Sequence, residues 1–262
     1  MPVYLDYNAT APIRLEVIES VSAAMAEVGN ASSVHQFGQR TRAHVETARK
    51  HLADLINVTP NQIVFTSGAT ESNNTALHAF QGKRVLISAI EHPAVLEAAP
   101  QAEHIPVTKD GVIDLDAFEK MLNNGEPPAM VSVMLVNSET GAIQPLKTIA
   151  KLAKDKGALV HTDAVQAAGR ILLDFNDLGI DFMSLSAHKM AGPQGVGAFI
   201  FRSGLTFEKF MKGGTQERMQ RGGTINVAGI AGFGKAAELA AQNIDHYDEL
   251  AKLRDHMEAE IL

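Results

Sequence analysis

The sequence predicts an α/β fold built on a mostly parallel sheet, and three observations carry that prediction. Short apolar runs alternate with longer amphipathic segments along most of the chain. Glycine and proline punctuate the alternation at its turns. The 262 residues are enough to bury a sizeable core. Strands separated by helices imply a parallel sheet covered on both faces, with ligands placed beyond the carboxyl ends of the strands.

Taken in order, the apolar runs at residues 63–66, 84–88, 130–136, 159–162, 182–185 and 197–201 read as strands. Helical patterns lie between them at about residues 40–55, 71–79, 115–122 and 146–156. The last is the clearest, because Leu146, Ile149, Leu152 and Ala153 recur at spacings of three and four and Gly157 stops the pattern. From Val227 onward the chain is strongly helical, and Leu250, Leu253, Met257 and Ile261 carry an apolar stripe to its end. No glycine, asparagine or proline closes that stripe, so the expectation is a fragment cut near a domain boundary.

Composition narrows the function classes. Hydrophobic residues make up 45% of the chain and charged residues 20%, an ordinary balance for a globular protein. A net charge of -7 without a Lys/Arg cluster argues against a nucleic-acid partner. The start Met1-Pro2-Val3-Tyr4-Leu5-Asp6 lacks the basic and apolar regions of a signal peptide, and no apolar stretch has the length of a membrane span. The expected location is the cytoplasm, with no membrane partner. There is no cysteine, which excludes disulfides, thiolate metal sites and cysteine nucleophiles from these residues. No metal is expected.

The residues with chemistry stand at strand ends. Ser186-Ala187-His188-Lys189 places one lysine between an apolar run and the turn Gly192-Pro193-Gln194-Gly195. Partial desolvation there favours a neutral amine, which attacks carbonyls and holds a cofactor aldehyde as a Schiff base. Thr66-Ser67-Gly68-Ala69-Thr70-Glu71-Ser72-Asn73 follows a strand and opens a helix, where a close backbone and free N–H groups favour an anion such as phosphate. Glu91-His92-Pro93 offers an imidazole to stack on a ring or to move protons. His161-Thr162-Asp163-Ala164-Val165-Gln166 offers a carboxylate that either caps a helix or pairs with a ligand cation such as a pyridinium nitrogen. Val136-Asn137-Ser138-Glu139-Thr140-Gly141 ends another strand in polar side chains, and the glycine-rich, cationic segment from Gly213 to Thr224 is suited to phosphate or carboxylate. Asn30-Ala31-Ser32-Ser33-Val34-His35 is the weakest of these places and is also a natural helix cap. A lysine for an aldehyde, an aspartate for a ring nitrogen, a histidine for a ring face and a helix N-terminus for phosphate together describe a pocket for pyridoxal 5'-phosphate (PLP).

In these motifs and their order, with Asp6-Tyr7-Asn8-Ala9-Thr10-Ala11-Pro12 at the start, the chain resembles the cysteine desulfurases of the class V aminotransferase group. The resemblance covers essentially the whole chain and implies the large domain of the PLP-dependent transferase fold type I. It divides the chain into an arm over residues 1–14, a PLP-binding large domain over 15–245 and a helix over 246–262 leading toward a small C-terminal domain. It implies that Lys189 binds the cofactor covalently and later acts as acid and base. His92 would stack on the ring, Asp163 would pair with the pyridinium nitrogen, and Gln166 would bond the ring phenolate. Ala69, Thr70, Ser186 and His188 would hold the phosphate, and Thr224 would reach the phosphate of the neighbouring subunit in a homodimer. Asn137, Ser138, Asn8 and His35 are candidate cofactor or substrate contacts.

Two positions depart from the family pattern. Ser138 stands where the family carries a second asparagine facing the cofactor. The thiol that takes sulfur from L-cysteine sits on a loop of the small domain in the family, and this chain has no cysteine. The function implied is desulfuration of L-cysteine to L-alanine with a persulfide on a cysteine outside these residues, for iron–sulfur assembly or other sulfur delivery to an acceptor or scaffold protein. Two rival readings are a class V aminotransferase or related PLP lyase, and an inactive partner-binding scaffold.

Overall fold

The computed structural model describes residues 2–261. Its elements are α1 (Leu15–Ala26), α2 (Gln36–Ile56), β1 (Ile63–Thr66), α3 (Ala69–His78), β2 (Val85–Ser88), α4 (Pro93–Leu96), β3 (Glu103–Ile105) and α5 (Leu115–Asn123). They continue with β4 (Met130–Ser132), α6 (Leu146–Asp155), β5 (Leu159–Asp163), β6 (Phe182–Ser186), β7 (Gly197–Phe201), α7 (Val227–Asn243) and α8 (Tyr247–Ile261). The strands form one seven-stranded sheet in the order β1-β7-β6-β5-β4-β2-β3. Pairing is parallel from β3 through to β6, and β7 runs antiparallel to both of its neighbours.

The reversal of β7 positions the site. An antiparallel neighbour needs no crossover helix. The chain therefore returns from β6 to β7 through a short connection, whose first turn is the 3-10 helix Ala187–Met190 carrying Lys189. Gly197 starts β7 where a Cβ would lie 2.6–2.7 Å from the backbone of Gly68, so only glycine lets the start of α3 sit so close to the sheet.

The strands β2, β4, β6 and β7 are buried at every position, as expected of a sheet covered on both faces. One face packs Val131, Val133, Val160, Met183, Leu185 and Ile200 with α2, α5, α6 and α7. The other packs Val64, Ile87, Met130, Phe182 and Phe199 with Ala76 and Leu77 of α3. α7 lies against α2 at Gly234, where a Cβ would come 2.3 Å from Ala48 Cα, so a side chain there would push the helices apart. The stripe of Leu250, Leu253, Met257 and Ile261 on α8 is exposed.

Three elements lie outside the sequence expectation: α1, α4 and the edge strand β3. The run at 130–136 also pairs as a strand only to Ser132. Its backbone continues beside β5 through Val133 N–H to the His161 carbonyl and Leu135 N–H to the Asp163 carbonyl. On the other side Met134 N–H turns to a carboxylate oxygen of Glu91 at 2.5 Å, which ends the ladder to β2.

A polar layer crosses the sheet one step below the strand ends. His161 on β5 has Nδ1 2.8 Å from Ser132 Oγ on β4 and Nε2 3.0 Å from Ser184 Oγ on β6. Burial pushes its pKa down to about 3, so the ring stays neutral. The native state thus binds fewer protons than the unfolded chain between pH 6.5 and about 3, and His161 withdraws stability as the pH falls through that window. Imidazole nitrogen NMR should show one histidine in the neutral form with no titration across that window while the protein stays folded. A midpoint near 6.5 for His161 would contradict the buried ladder.

Candidate active site

A cavity of about 1070 Å³ opens at the carboxyl ends of β5 and β6 and the N-terminus of α3. Its wall includes Lys189, Asp163, His92, Gln166, Ser186, His188, Ala69, Thr70, Asn8 and Ser138. Strand ends supply the rigid members, because β5 stops at Asp163 and β6 at Ser186.

Lys189 is half-buried, and its Nζ donates to the Asn8 carbonyl. Burial pushes the amine below its ordinary value and the nearby Arg170 guanidinium adds to this, while Asp163 and Asp6 oppose it. The result is an amine more readily neutral than a free lysine. Asp163 is buried at the end of β5, with Oδ2 accepting from Asn73 Nδ2 at 2.7 Å and Oδ1 from Val165 N–H at 3.0 Å. Burial raises its carboxyl, and these two donors with the charge of Lys189 pull it back. His92 caps α4, accepting from Ala94 N–H at Nδ1 at 3.0 Å, which puts its ring proton on Nε2.

The first turn of α3 carries N–H groups that the helix itself leaves without partners, and they face the cavity at Ala69 and Thr70. The acid in that turn, Glu71, is engaged elsewhere. It accepts from Arg221 at 2.9 and 3.1 Å and from Ser67 N–H at 2.8 Å. Burial alone would raise the Glu71 carboxyl, but Arg221 and Ser67 together hold it below its usual value. The α3 N-terminus is therefore left free to receive an anion.

The N-terminal segment lies across the mouth. Asn8 donates from Nδ2 to the Ser138 carbonyl at 3.0 Å, and its own carbonyl accepts from Gln166 Nε2 at 3.0 Å. Arg170 donates to Asn8 Oδ1 at 3.0 Å and to Gln166 Oε1 at 2.5 Å. His188 Nδ1 meets Thr10 Oγ1 at 3.1 Å, and Ala11 N–H donates to the His188 carbonyl at 3.0 Å.

Three expected residues stand elsewhere. Asn137 does not line the cavity: it is buried in its own turn, where Oδ1 accepts from Glu139 and Thr140 N–H at 2.9 and 3.0 Å and Nδ2 donates to the Ile90 carbonyl at 3.2 Å. It therefore takes over no contact on behalf of Ser138. His35 is exposed and caps α2 by accepting from Gly38 N–H at 3.4 Å, so it offers nothing to the cavity. Thr224 is exposed and lines a separate cleft of about 110 Å³ with Ser67, Glu217 and Arg221. Arg170, Glu91 and the amide of Asn73 have no individual role in the sequence expectation, although Arg170 stands four residues after Gln166 in the turn that follows β5. Among the described residues no group of three His, Asp or Glu side chains is arranged to hold a metal ion, and no helix is long and apolar enough to cross a membrane.

The donor set fits PLP in kind. One amine of lowered basicity answers its aldehyde, one buried carboxylate its ring nitrogen, and a free helix N-terminus its phosphate.

Residues 3–261 match the family described as aminotransferase class-V. The cysteine desulfurase IscS of Dictyoglomus turgidum is 42% identical over 274 residues, covering 99% of this chain and 69% of that protein. A cysteine desulfurase of Sinorhizobium fredii is 43% identical, covering 100% of this chain and 71% of its own. The chain thus spans about 70% of the length of these relatives. Among solved structures, a NifS-like protein superposes with a TM-score of 0.94 at 37% identity over 100% of this chain and 76% of its own. The NifS-like protein of Rickettsia africae gives 0.94 at 35% identity, covering 100% and 75%. With family, relatives and fold in agreement, this chain belongs to the cysteine desulfurases, PLP-dependent members of the class-V aminotransferase family.

Proposed function

We propose that the cavity binds PLP through Lys189 and activates L-cysteine for sulfur transfer. The observation that carries this reading is the convergence of Lys189 and Asp163, from the ends of adjacent strands, on one cavity with the free N-terminus of α3. Bound PLP supplies an aldehyde and a pyridinium ring that withdraws electrons from the substrate Cα. Asp163 would pair its carboxylate with the ring nitrogen and hold the proton there. His92 would pack on the ring, Gln166 would bond the ring oxygen, and Ala69, Thr70, Ser186 and His188 would hold the phosphate, all of them residues that line the cavity. Lys189 Nζ would hold the cofactor aldehyde and, when not bonded to it, would take the Cα proton of L-cysteine, a role its lowered basicity supports.

Sulfur then passes to a thiolate from outside these residues, since they contain no cysteine. The C–S bond breaks, a persulfide forms, and L-alanine leaves. Such a persulfide would serve a sulfur-acceptor or scaffold protein. Thr224, exposed and outside the main cavity, is suited to the phosphate of a second copy in a homodimer.

The test follows deuterium. With PLP and L-cysteine in D2O, the chain should exchange the Cα hydrogen of cysteine while forming little alanine, because no protein thiol is present. Bound PLP without exchange would overturn the reading. Accumulation of a keto acid with pyridoxamine phosphate would move it to an aminotransferase.

A further inference from the structure

Arg170 lies in the turn after β5 and is half-buried. The turn is fixed at Gly169, whose φ is 75° and where a Cβ would lie 2.9 Å from Ala240 Cβ. From there the guanidinium reaches three oxygens. Nη1 donates to Gln166 Oε1 at 2.5 Å and to Asn8 Oδ1 at 3.0 Å, and Nη2 donates to the Tyr7 carbonyl at 3.2 Å. All three acceptors are uncharged amide oxygens, so this cation is used to hold amides.

A guanidinium donates and never accepts, whereas a side-chain amide has an oxygen end and a nitrogen end. Beside Arg170 only the oxygen end of Gln166 can bond, which turns Nε2 away. On that other side stands the Asn8 carbonyl, which only accepts, and it takes Nε2 at 3.0 Å. Both neighbours demand the same orientation. Asn8 is sorted in the same way: with Oδ1 held by Arg170, its Nδ2 donates to the Ser138 carbonyl at 3.0 Å. Gln166 Nε2 carries two protons, and the Asn8 carbonyl takes one of them. The second is left for a ligand of the cavity that Gln166 lines. A reversed amide would offer that ligand an oxygen and set its nitrogen against a cation.

We propose that Arg170 is a positioning residue that locks the Gln166 amide with Nε2, and not Oε1, available to a ligand in the cavity. Arg170 itself does not line the cavity and acts through Gln166. The consequence for the cofactor rests on the reading of Gln166 as partner of the ring oxygen, but the lock on the amide does not.

Nitrogen and carbon NMR of the PLP-free chain tests the lock directly. In wild type a coupling across the hydrogen bond should join Gln166 Nε2 to the Asn8 carbonyl carbon, and Arg170→Met should lose it. No coupling in wild type, or the same coupling in Arg170→Met, would overturn the proposal. PLP titration gives a second readout. Arg170→Lys keeps a donor-only cation and should bind PLP within about threefold of wild type. Arg170→Met should bind about tenfold more weakly, the loss of one donor to a charged oxygen. It should also raise by about one unit the pH at which the bound cofactor loses its proton, because a donor to the ring oxygen favours the deprotonated form. Equal weakening by both variants, or an unmoved midpoint in Arg170→Met, would contradict the lock. If wild type bound no PLP, the functional reading would fall while the NMR result still decided the amide. Arg170→Ala replaces Arg170→Met in both measurements should the latter not fold.

Discussion

Lys189→Ala is expected to abolish the visible absorption of the PLP-loaded chain while leaving its melting temperature close to that of wild type. The amine sits on the 3-10 turn between β6 and β7, half-buried, with the Asn8 carbonyl as its hydrogen-bond partner. Removing it takes away one partly exposed contact, so the stability change should stay under about 1 kcal/mol. The chemical loss is much larger. Among the described residues Lys189 is the lysine that lines the cavity, and the proton transfer assigned to it contributes about 10²–10⁴-fold to rate. Exchange of the cysteine Cα hydrogen should fall by that factor or more. The pH dependence has a definite sign: burial lowers the amine pKa, so capture of PLP should become fast at a lower pH than for a free lysine amine. Absorption spectra and thermal melts of the two chains check both halves of this expectation.

Arg49→Met should be the most destabilising of the polar substitutions. Arg49 is 2% exposed and donates to Glu217 Oε2 and Oε1 at 3.0 Å each and to the Ile63 carbonyl at 2.7 Å. Its guanidinium lies 4.7 Å from the centre of the Phe65 ring. Glu217 also accepts from Phe65 N–H at 2.9 Å. This clamp holds a strained stretch, because Glu217, Arg218 and Met219 have φ of 44°, 55° and 67° in succession. Each such left-handed residue costs about 1–2 kcal/mol and persists only where its surroundings enforce it.

Without Arg49 the buried Glu217 carboxylate is unpaired, a loss of about 3–5 kcal/mol. For a chain of this size that corresponds to a fall in melting temperature of about 10 °C or more. Adding Glu217→Gln to Arg49→Met should recover part of the loss, since the uncompensated charge is then gone. A fall of only a degree or two for Arg49→Met would show that the clamp does not hold the segment leading to Thr224.

How far the sequence alone reaches can be read from particular elements. β7 is legible to the residue because Gly197 and the apolar run to Phe201 stand between turn signals. β3 is not, since Glu103 and His104 are exposed and only Ile105 is buried, leaving no apolar run to detect. α1 escapes for a related reason: Val17 and Ala24 are buried but Leu15, Ile18 and Met25 are exposed, so no one-sided stripe marks it. In the site, Lys189, Asp163 and His92 can be picked out because each closely follows an apolar run at a strand end. Glu91, Asn73 and Arg170 cannot, because their meaning lies in contacts distant in sequence. Asn73 meets Asp163 across 90 positions and Arg170 meets Asn8 across 162. His35 and Asn137 show the opposite error, polar residues in suggestive motifs whose side chains are used up by capping and turn geometry.

The central claim, that Lys189 is the residue through which this cavity holds PLP, is open to one direct measurement. The chain is mixed with PLP, the covalent bond is fixed with borohydride, and the protein is digested and mapped by mass spectrometry. The account predicts a pyridoxyl phosphate label concentrated on the peptide containing Lys189 and absent from Lys189→Ala. A label spread over surface lysines, or persisting in Lys189→Ala at the wild-type level, would contradict it.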